Sequence, residues 1–315
     1  MRIVFYGTPD FAVASLSALV ENGHNVVAVV TAPDRPAGRG HKMLPSAVKI
    51  YSESKKLPVM QPTNLKSEDF INELTSYSPD IQIVVAFRML PKTVWDLPPL
   101  GTFNVHAALL PNYRGAAPIN WAIINGEVET GVSTFKLQHE IDTGSILLQE
   151  KASIGEDETA GELYNRLMNL GASLLLESLN LIDSGNYELV PQVVEEHHKV
   201  APKIFKADCE IDWSRSKKEI HDFVRGLNPF PGAFTYFEHQ GVTDRMKVLS
   251  VRPIDSSQTG ELGSVLIEDS RILVQCSDGC VELLDIQLPG KRQQNANDFV
   301  LGNRTLLEQA RLIVK

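Results

Sequence analysis

Short apolar runs alternate with longer amphipathic stretches through the first 180 residues. Residues 3–6, 25–30 and 81–87 are continuous runs rich in β-branched and aromatic side chains, which predicts strands buried on both faces. Between them, Phe11, Ala14, Leu16, Leu19 and Val20 recur at helical spacing. Further strands are expected at 103–106, 131–137 and 145–149. Leucines 167, 170, 174, 175, 176 and 179 predict a long helix over 163–181. Strand–helix alternation of this kind implies a mostly parallel sheet covered by helices, with ligands beyond the carboxyl ends of its strands.

The texture changes near residue 190. Residues 190–205 are polar and mixed and contain Pro191 and Pro202, which suits a linker. From 206 onward short strands are punctuated by Gly232, Gly241, Gly260, Gly263, Asp278-Gly279 and Pro289-Gly290, with one helix over 217–226. That spacing predicts a small β-barrel. The expected organisation is therefore an α/β domain over 1–189, a linker over 190–205 and a smaller β-barrel domain over 206–315.

Composition narrows the class. The chain has 315 residues, 43% hydrophobic and 22% charged, as ordinary globular proteins have. Its three cysteines, Cys209, Cys276 and Cys280, form no disulfide framework and suit a reducing, cytoplasmic setting. Cys276 and Cys280 lack the second Cys/His pair a zinc site needs, so no metal is expected. No leader peptide is legible, because a strand begins almost at once. No apolar run approaches the roughly 20 residues of a membrane helix. The net charge of −9 disfavours non-specific nucleic-acid binding but leaves room for a local basic patch.

Two such patches are candidates. Residues 32–44 contain Arg35, Arg39 and Lys42 among two prolines and two glycines, a positive loop open to a phosphate-bearing partner or simply to solvent. In the second domain Lys217, Lys218, Arg225, Lys247, Lys291 and Arg292 stand in a region of 14 Lys/Arg and 16 Asp/Glu, so a basic face is set against a charge-mixed surface.

Chemistry concentrates at 104–118. Asn104 and His106 alternate along a strand, so both side chains leave one face. An amide and an imidazole together suit an oxyanion. Asp142, at the Thr143-Gly144 turn between two later strands, is the acid that would orient His106 and stabilise its charged form. Gly7-Thr8-Pro9-Asp10 follows the first strand but lacks the three glycines of a dinucleotide fingerprint, which disfavours an NAD-dependent oxidoreductase.

Asn104-x-His106, then Leu-Leu-Pro-x-Tyr-Arg-Gly, then Asp142-Thr-Gly some 30 residues on, resembles the folate-dependent formyltransferase family. Gly7-Thr-Pro-Asp-Phe11, the 33–40 loop, Arg114-Gly-Ala-Ala-Pro118 and Leu227-Asn-Pro-Phe-Pro231 resemble its branch acting on initiator methionyl-tRNA. The resemblance spans nearly the whole chain. It implies a Rossmann-like catalytic domain, an OB-like C-terminal barrel that binds tRNA, and 10-formyltetrahydrofolate as formyl donor; a monomer is expected. It makes Asn104, His106 and Asp142 the catalytic trio. It assigns Ala108, Leu109, Leu110 and Pro111, with Arg88, Met89, Leu90 and Ile141, to the folate side, and Arg35, Arg39 and Lys42 to the tRNA. Against the family pattern, Ala108 replaces a serine, Glu140 replaces a glycine, and the 86–91 loop is one residue shorter. The rival readings are a formyltransferase acting on a small amine, such as an amino-sugar nucleotide or a glycinamide ribonucleotide, and a non-catalytic RNA-binding protein.

Overall fold

The computed structural model describes residues 1–37, 42–194, 196–239, 242–255, 260–308 and 311–313. It divides into two compact units. The first comprises Met1–Gly115, Glu129–Ser153 and Tyr164–Ala201, and the second Ala116–Val128, Ile154–Leu163 and Pro202–Lys315.

The first unit contains β1 (Arg2–Gly7), β2 (Asn25–Val30), β3 (Arg35–Ala37), β4 (Lys42–Leu44), β5 (Val59–Met60), β6 (Ile81–Val85), β7 (Thr102–His106), β8 (Arg114–Gly115), β9 (Glu129–Lys136), β10 (Ile146–Ser153) and β11 (Val200–Ala201). Seven of these form one sheet in the order β10-β9-β7-β6-β1-β2-β5. The neighbours from β7 to β5 pair in parallel, while β7–β9 and β9–β10 are antiparallel. The sequence explains why. Val4, Tyr6, Ala28, Val30 and Val84 enter one buried cluster. Their alternates Ile3, Phe5, Val29, Ile83 and Val85 are fully buried on the opposite face, as a sheet covered twice requires.

Chain order reverses between β1 and β6, so the switch point lies where Gly7 pairs with Val85. The long helix Ala160–Ser184 closes one face. A Cβ on its Gly171 would stand 3.1 Å from Val105, so glycine lets the helix sit directly on the strand carrying Asn104 and His106.

The stretch read as a featureless loop contains the β3–β4 hairpin, with Arg35 opposite Leu44 and Ala37 opposite Lys42. Its base is held by Asp34, which takes Lys49 at 2.7 Å and Gln61 at 2.7 Å. These partners hold the Asp34 carboxyl below the usual carboxylate range. Helices Ala47–Ser54 and Glu68–Ser76 complete that side. Ser46 caps the first by accepting the Lys49 N–H at 3.0 Å.

The second unit is built on β12 (Ala233–His239), β13 (Val242–Ile254), β14 (Val265–Glu268), β15 (Arg271–Cys276), β16 (Gly279–Gln287), β17 (Gln294–Asn295) and β18 (Arg311–Ile313). They form an antiparallel sheet ordered β14-β15-β16-β13-β12-β18, with β17 beside β16. Register shifts around Ser250 bend β13 against β16 and curl the sheet into a half-barrel. Trp213, Leu227, Val248, Val274, Val281, Leu283 and Ile286 fill it. The cysteines are free and buried.

The helix Lys217–Leu227 opens on a capping box between Ser216 and Glu219. Asp222, 3% exposed, receives Lys218 at 2.6 Å and Arg225 at 2.8 Å. Arg225 also donates to the carbonyls of Gly155 and Glu158, tying that segment to the helix. Burial opposes charge on Asp222, but His221, Lys218 and Arg225 outweigh it and keep the carboxyl below its usual range. This contribution to stability is present above the ordinary carboxylate pKa of about 3.9 and is lost as pH falls through the lower folded value. Asp222→Ala strands a buried guanidinium and is expected to destabilise the protein by about 3–5 kcal/mol, measured by denaturant unfolding.

Among the described residues, no helix is long and apolar enough to cross a membrane.

Candidate functional site

Asn104 and His106 lie at the carboxyl end of β7, beside the switch point. The carboxamide of Asn104 is half-buried and has no hydrogen-bond partner among the described residues. His106 is 7% exposed. Its Nε2 lies 2.8 Å from the carbonyl of Tyr113. A carbonyl only accepts, so Nε2 carries the proton and Nδ1 is the working nitrogen.

Asp142 Oδ2 lies 3.9 Å from that Nδ1, beyond hydrogen-bond length. The acid that the sequence sets beside His106 is close to the ring but makes no hydrogen bond to it. Oδ2 instead accepts the N–H of Gly115 at 2.9 Å. The Tyr113 carbonyl, rather than the carboxylate, sets the ring orientation.

Three of the seven described non-glycine residues with positive φ fall on these loops: Ala86 at 47°, Tyr113 at 60° and Asp142 at 54°. Such backbone is costly and gathers where geometry is over-determined. Glu140 is not among the positive-φ residues, so the glycine-to-glutamate departure puts no left-handed strain on that turn.

The 108–111 segment is braced from beneath. Ser133 Oγ, on the strand beside His106, donates to the Ala108 carbonyl at 2.6 Å and accepts the Leu110 N–H at 3.1 Å. Gln149 donates to both Ser133 Oγ and the Leu110 carbonyl. Ala108 and Leu110 are buried, whereas Leu109 and Pro111 are partly exposed. Leu90 is buried in the core. The Arg88 guanidinium is held by the carbonyls of Pro62 and Thr63. Met89 and Ile141 are 66% and 56% exposed, apolar side chains without core partners.

Of the basic loop, Arg35 is exposed. Arg39 lies outside the described residues. Lys42 contributes a backbone pairing to Ala37. Among the described residues, no group of three His, Cys, Asp or Glu is placed to hold a metal.

Within the second unit, a cavity of about 470 Å³ is lined by Lys203, Lys206, Arg245 and Lys247, with Phe230 and Phe234. None of these four cations has a carboxylate partner among the described residues. Lys203 and Arg245 stand over the rings of Phe205 and Phe234, at 5.3 and 5.1 Å. Burial pushes the nearby Cys209 thiol up, while Lys247 and Arg245 pull it the other way. Sequence reading found only Lys247 of this group. Lys217, Lys218 and Arg225 are instead engaged by Asp255, Asp222 and backbone carbonyls.

The fold and the polar groups at the carboxyl edge of its sheet define the class: an α/β enzyme domain joined to an antiparallel half-barrel. A formyl transferase family model matches residues 1–179, and a formyl transferase C-terminal domain model matches 203–304. A methionyl-tRNA formyltransferase of Porphyromonas gingivalis is 48% identical over 308 residues, covering 96% of this chain and 95% of the relative. One from Parabacteroides distasonis is 48% identical over 317 residues, covering 98% and 97%. Among solved structures, WlaRD, a sugar 3N-formyl transferase, is similar with a TM-score of 0.65 at 18% identity, covering 93% of this chain and 99% of its own. HypX from Aquifex aeolicus in complex with tetrahydrofolic acid gives a TM-score of 0.63 at 20% identity, covering 95% of this chain and 47% of its own. This chain belongs to the formyl transferase family.

Proposed function

We propose that this protein transfers the formyl group of 10-formyltetrahydrofolate to the α-amino group of initiator methionyl-tRNA, as a cytoplasmic monomer serving translation initiation. The observation that carries the reading is the unpartnered Asn104 carboxamide two residues from His106, whose free Nδ1 faces the Asp142 carboxylate.

The donor is a substrate here, and the residues fit it. Met89 and Ile141, on the loops after β6 and β9, offer exposed apolar surface that a flat heteroaromatic ring would cover. Leu109 and Pro111 follow His106 on the braced segment. Asn104 supplies one hydrogen bond to the oxygen that becomes negative as the amine adds to the formyl carbon. A protonated His106 supplies the second through Nδ1–H while its Nε2–H stays on Tyr113. Such donors are worth roughly 3 kcal/mol each in a transition state.

Asp142 takes a proton from the attacking nitrogen. The 3.9 Å between Oδ2 and Nδ1 lets the attacking nitrogen stand at Oδ2 while the formyl oxygen meets Nδ1. The new carbon–nitrogen bond forms, the bond to N10 breaks, and the proton lost by the amine balances the one gained by N10.

The cations around the cavity of the second unit, which have no carboxylate partner among the described residues, support an acceptor bearing phosphodiesters. They favour tRNA over a small amine. The test is formyl incorporation into charged initiator tRNA, beside a charged elongator tRNA and a dTDP-linked amino sugar. Formylation of the initiator alone is expected; preference for the sugar would overturn the acceptor assignment.

A further inference from the structure

We propose that Gln192 is a positioning residue for the transfer reaction, holding the Asp142 turn against Arg114 of β8, the residue before Gly115. The proposal rests on the functional reading above. Residues 190–194 and 196–201 do not cross the first unit as a loose tether. Val190 exchanges backbone hydrogen bonds with Ile146, the Lys199 carbonyl accepts the Tyr113 N–H at 2.6 Å, and β11 pairs in parallel with β8. Gly115 has φ +126°, and a Cβ there would stand 2.4 Å from the Ala201 carbonyl oxygen, so this pairing needs glycine.

Gln192 sits inside this segment and uses its whole carboxamide. Its Nε2 donates to the backbone carbonyls of Asp142 at 2.8 Å and Gly144 at 2.7 Å. Its Oε1 accepts Arg114 Nε at 3.0 Å and Nη2 at 2.6 Å. An amide has two donors and two acceptor positions, and all are filled. One side chain thus joins the backbone of the acid to the residue before Gly115, whose N–H holds the acid's carboxylate.

Asp142 needs this support. Its φ of +54° is unfavourable for a non-glycine residue, and among the described residues its carboxylate accepts a hydrogen bond only from Gly115. Displacing a reacting group by about 1 Å costs on the order of 10²-fold in rate. Gln192 reaches neither His106 nor Asn104 by any hydrogen bond among the described residues, so its effect passes through Asp142.

Gln192→Glu separates the two halves of the contact. A carboxylate keeps the Arg114 pair and loses both bonds to the turn. In the full-length protein we expect Gln192→Glu and Gln192→Ala each to lower kcat about 10- to 100-fold. KM for donor and acceptor should stay within about threefold, because the Gln192 carboxamide is filled by Arg114 and the turn carbonyls and has no group left for a substrate. Hydrogen exchange over 138–145 should accelerate in both, with the melting temperature of Gln192→Glu near wild type. A kcat within twofold of wild type in Gln192→Glu, or a loss confined to KM, would overturn the proposal. So would unchanged exchange in the turn. A wild-type protein that moved no formyl group would sink the functional reading alone, since the exchange measurement reports on the brace without turnover.

Discussion

Asp142→Asn is expected to lower formyl-transfer turnover by about 10²–10⁴-fold while leaving the dissociation constant for charged tRNA within about twofold. The asparagine keeps the size of the side chain and can still accept the Gly115 N–H through its oxygen. What it loses is the charge and the capacity to take the amine's proton. His106→Ala removes the Nδ1 donor and also leaves the Tyr113 carbonyl without its ring partner, so its loss should be about 10²–10³-fold. The double variant should be little worse than the worse single, because the two groups act on one transition state. Steady-state turnover with a parallel filter-binding titration separates the two effects. Near-wild-type turnover in either variant would remove that residue from the chemistry.

The second large effect concerns the acceptor. Replacing Lys203 and Arg245 together by glutamate is expected to weaken charged-tRNA binding about 10- to 100-fold at low salt, with folate binding unchanged. The chain as a whole carries −9, so its average field repels RNA and binding must rest on local clusters. Losing two phosphate contacts should also flatten the log–log salt dependence by at least about two units. The same affinity loss with an unchanged slope would mean that the variant perturbs the fold rather than phosphate contacts. Lys217→Ala should do much less, because its ammonium is already held by Asp255 at 2.6 Å.

The distance from sequence to site was uneven, for identifiable reasons. The parallel core was legible because its strands are unbroken apolar runs, and Asn104 and His106 share a face by strand geometry alone. Asp142 was legible as a turn acid between neighbouring strands. Its actual hydrogen bond, to an amide 27 residues away, was not, because nothing local encodes that pairing. Gln192, Ser133 and Gln149 were missed for the same reason: each is an ordinary polar residue whose importance lies in partners 16 to 78 positions distant. The β3–β4 hairpin was hidden by its prolines and glycines, which carry no alternation to read. The basic cavity was hidden because the segment read as a linker supplies Lys203 while β13 supplies Arg245 and Lys247. Total charge over 206–315 could not register such a cluster.

Isotope-edited infrared spectroscopy of a ¹³C-formyl folate bound to the protein would observe the reacting carbonyl itself. If Asn104 and His106 grip its oxygen, the stretch should fall to lower wavenumber on binding, and Asn104→Ala and His106→Ala should each return part of that shift. A carbonyl that binds with its solution frequency, or a shift untouched by both substitutions, would place the formyl group elsewhere and contradict the account.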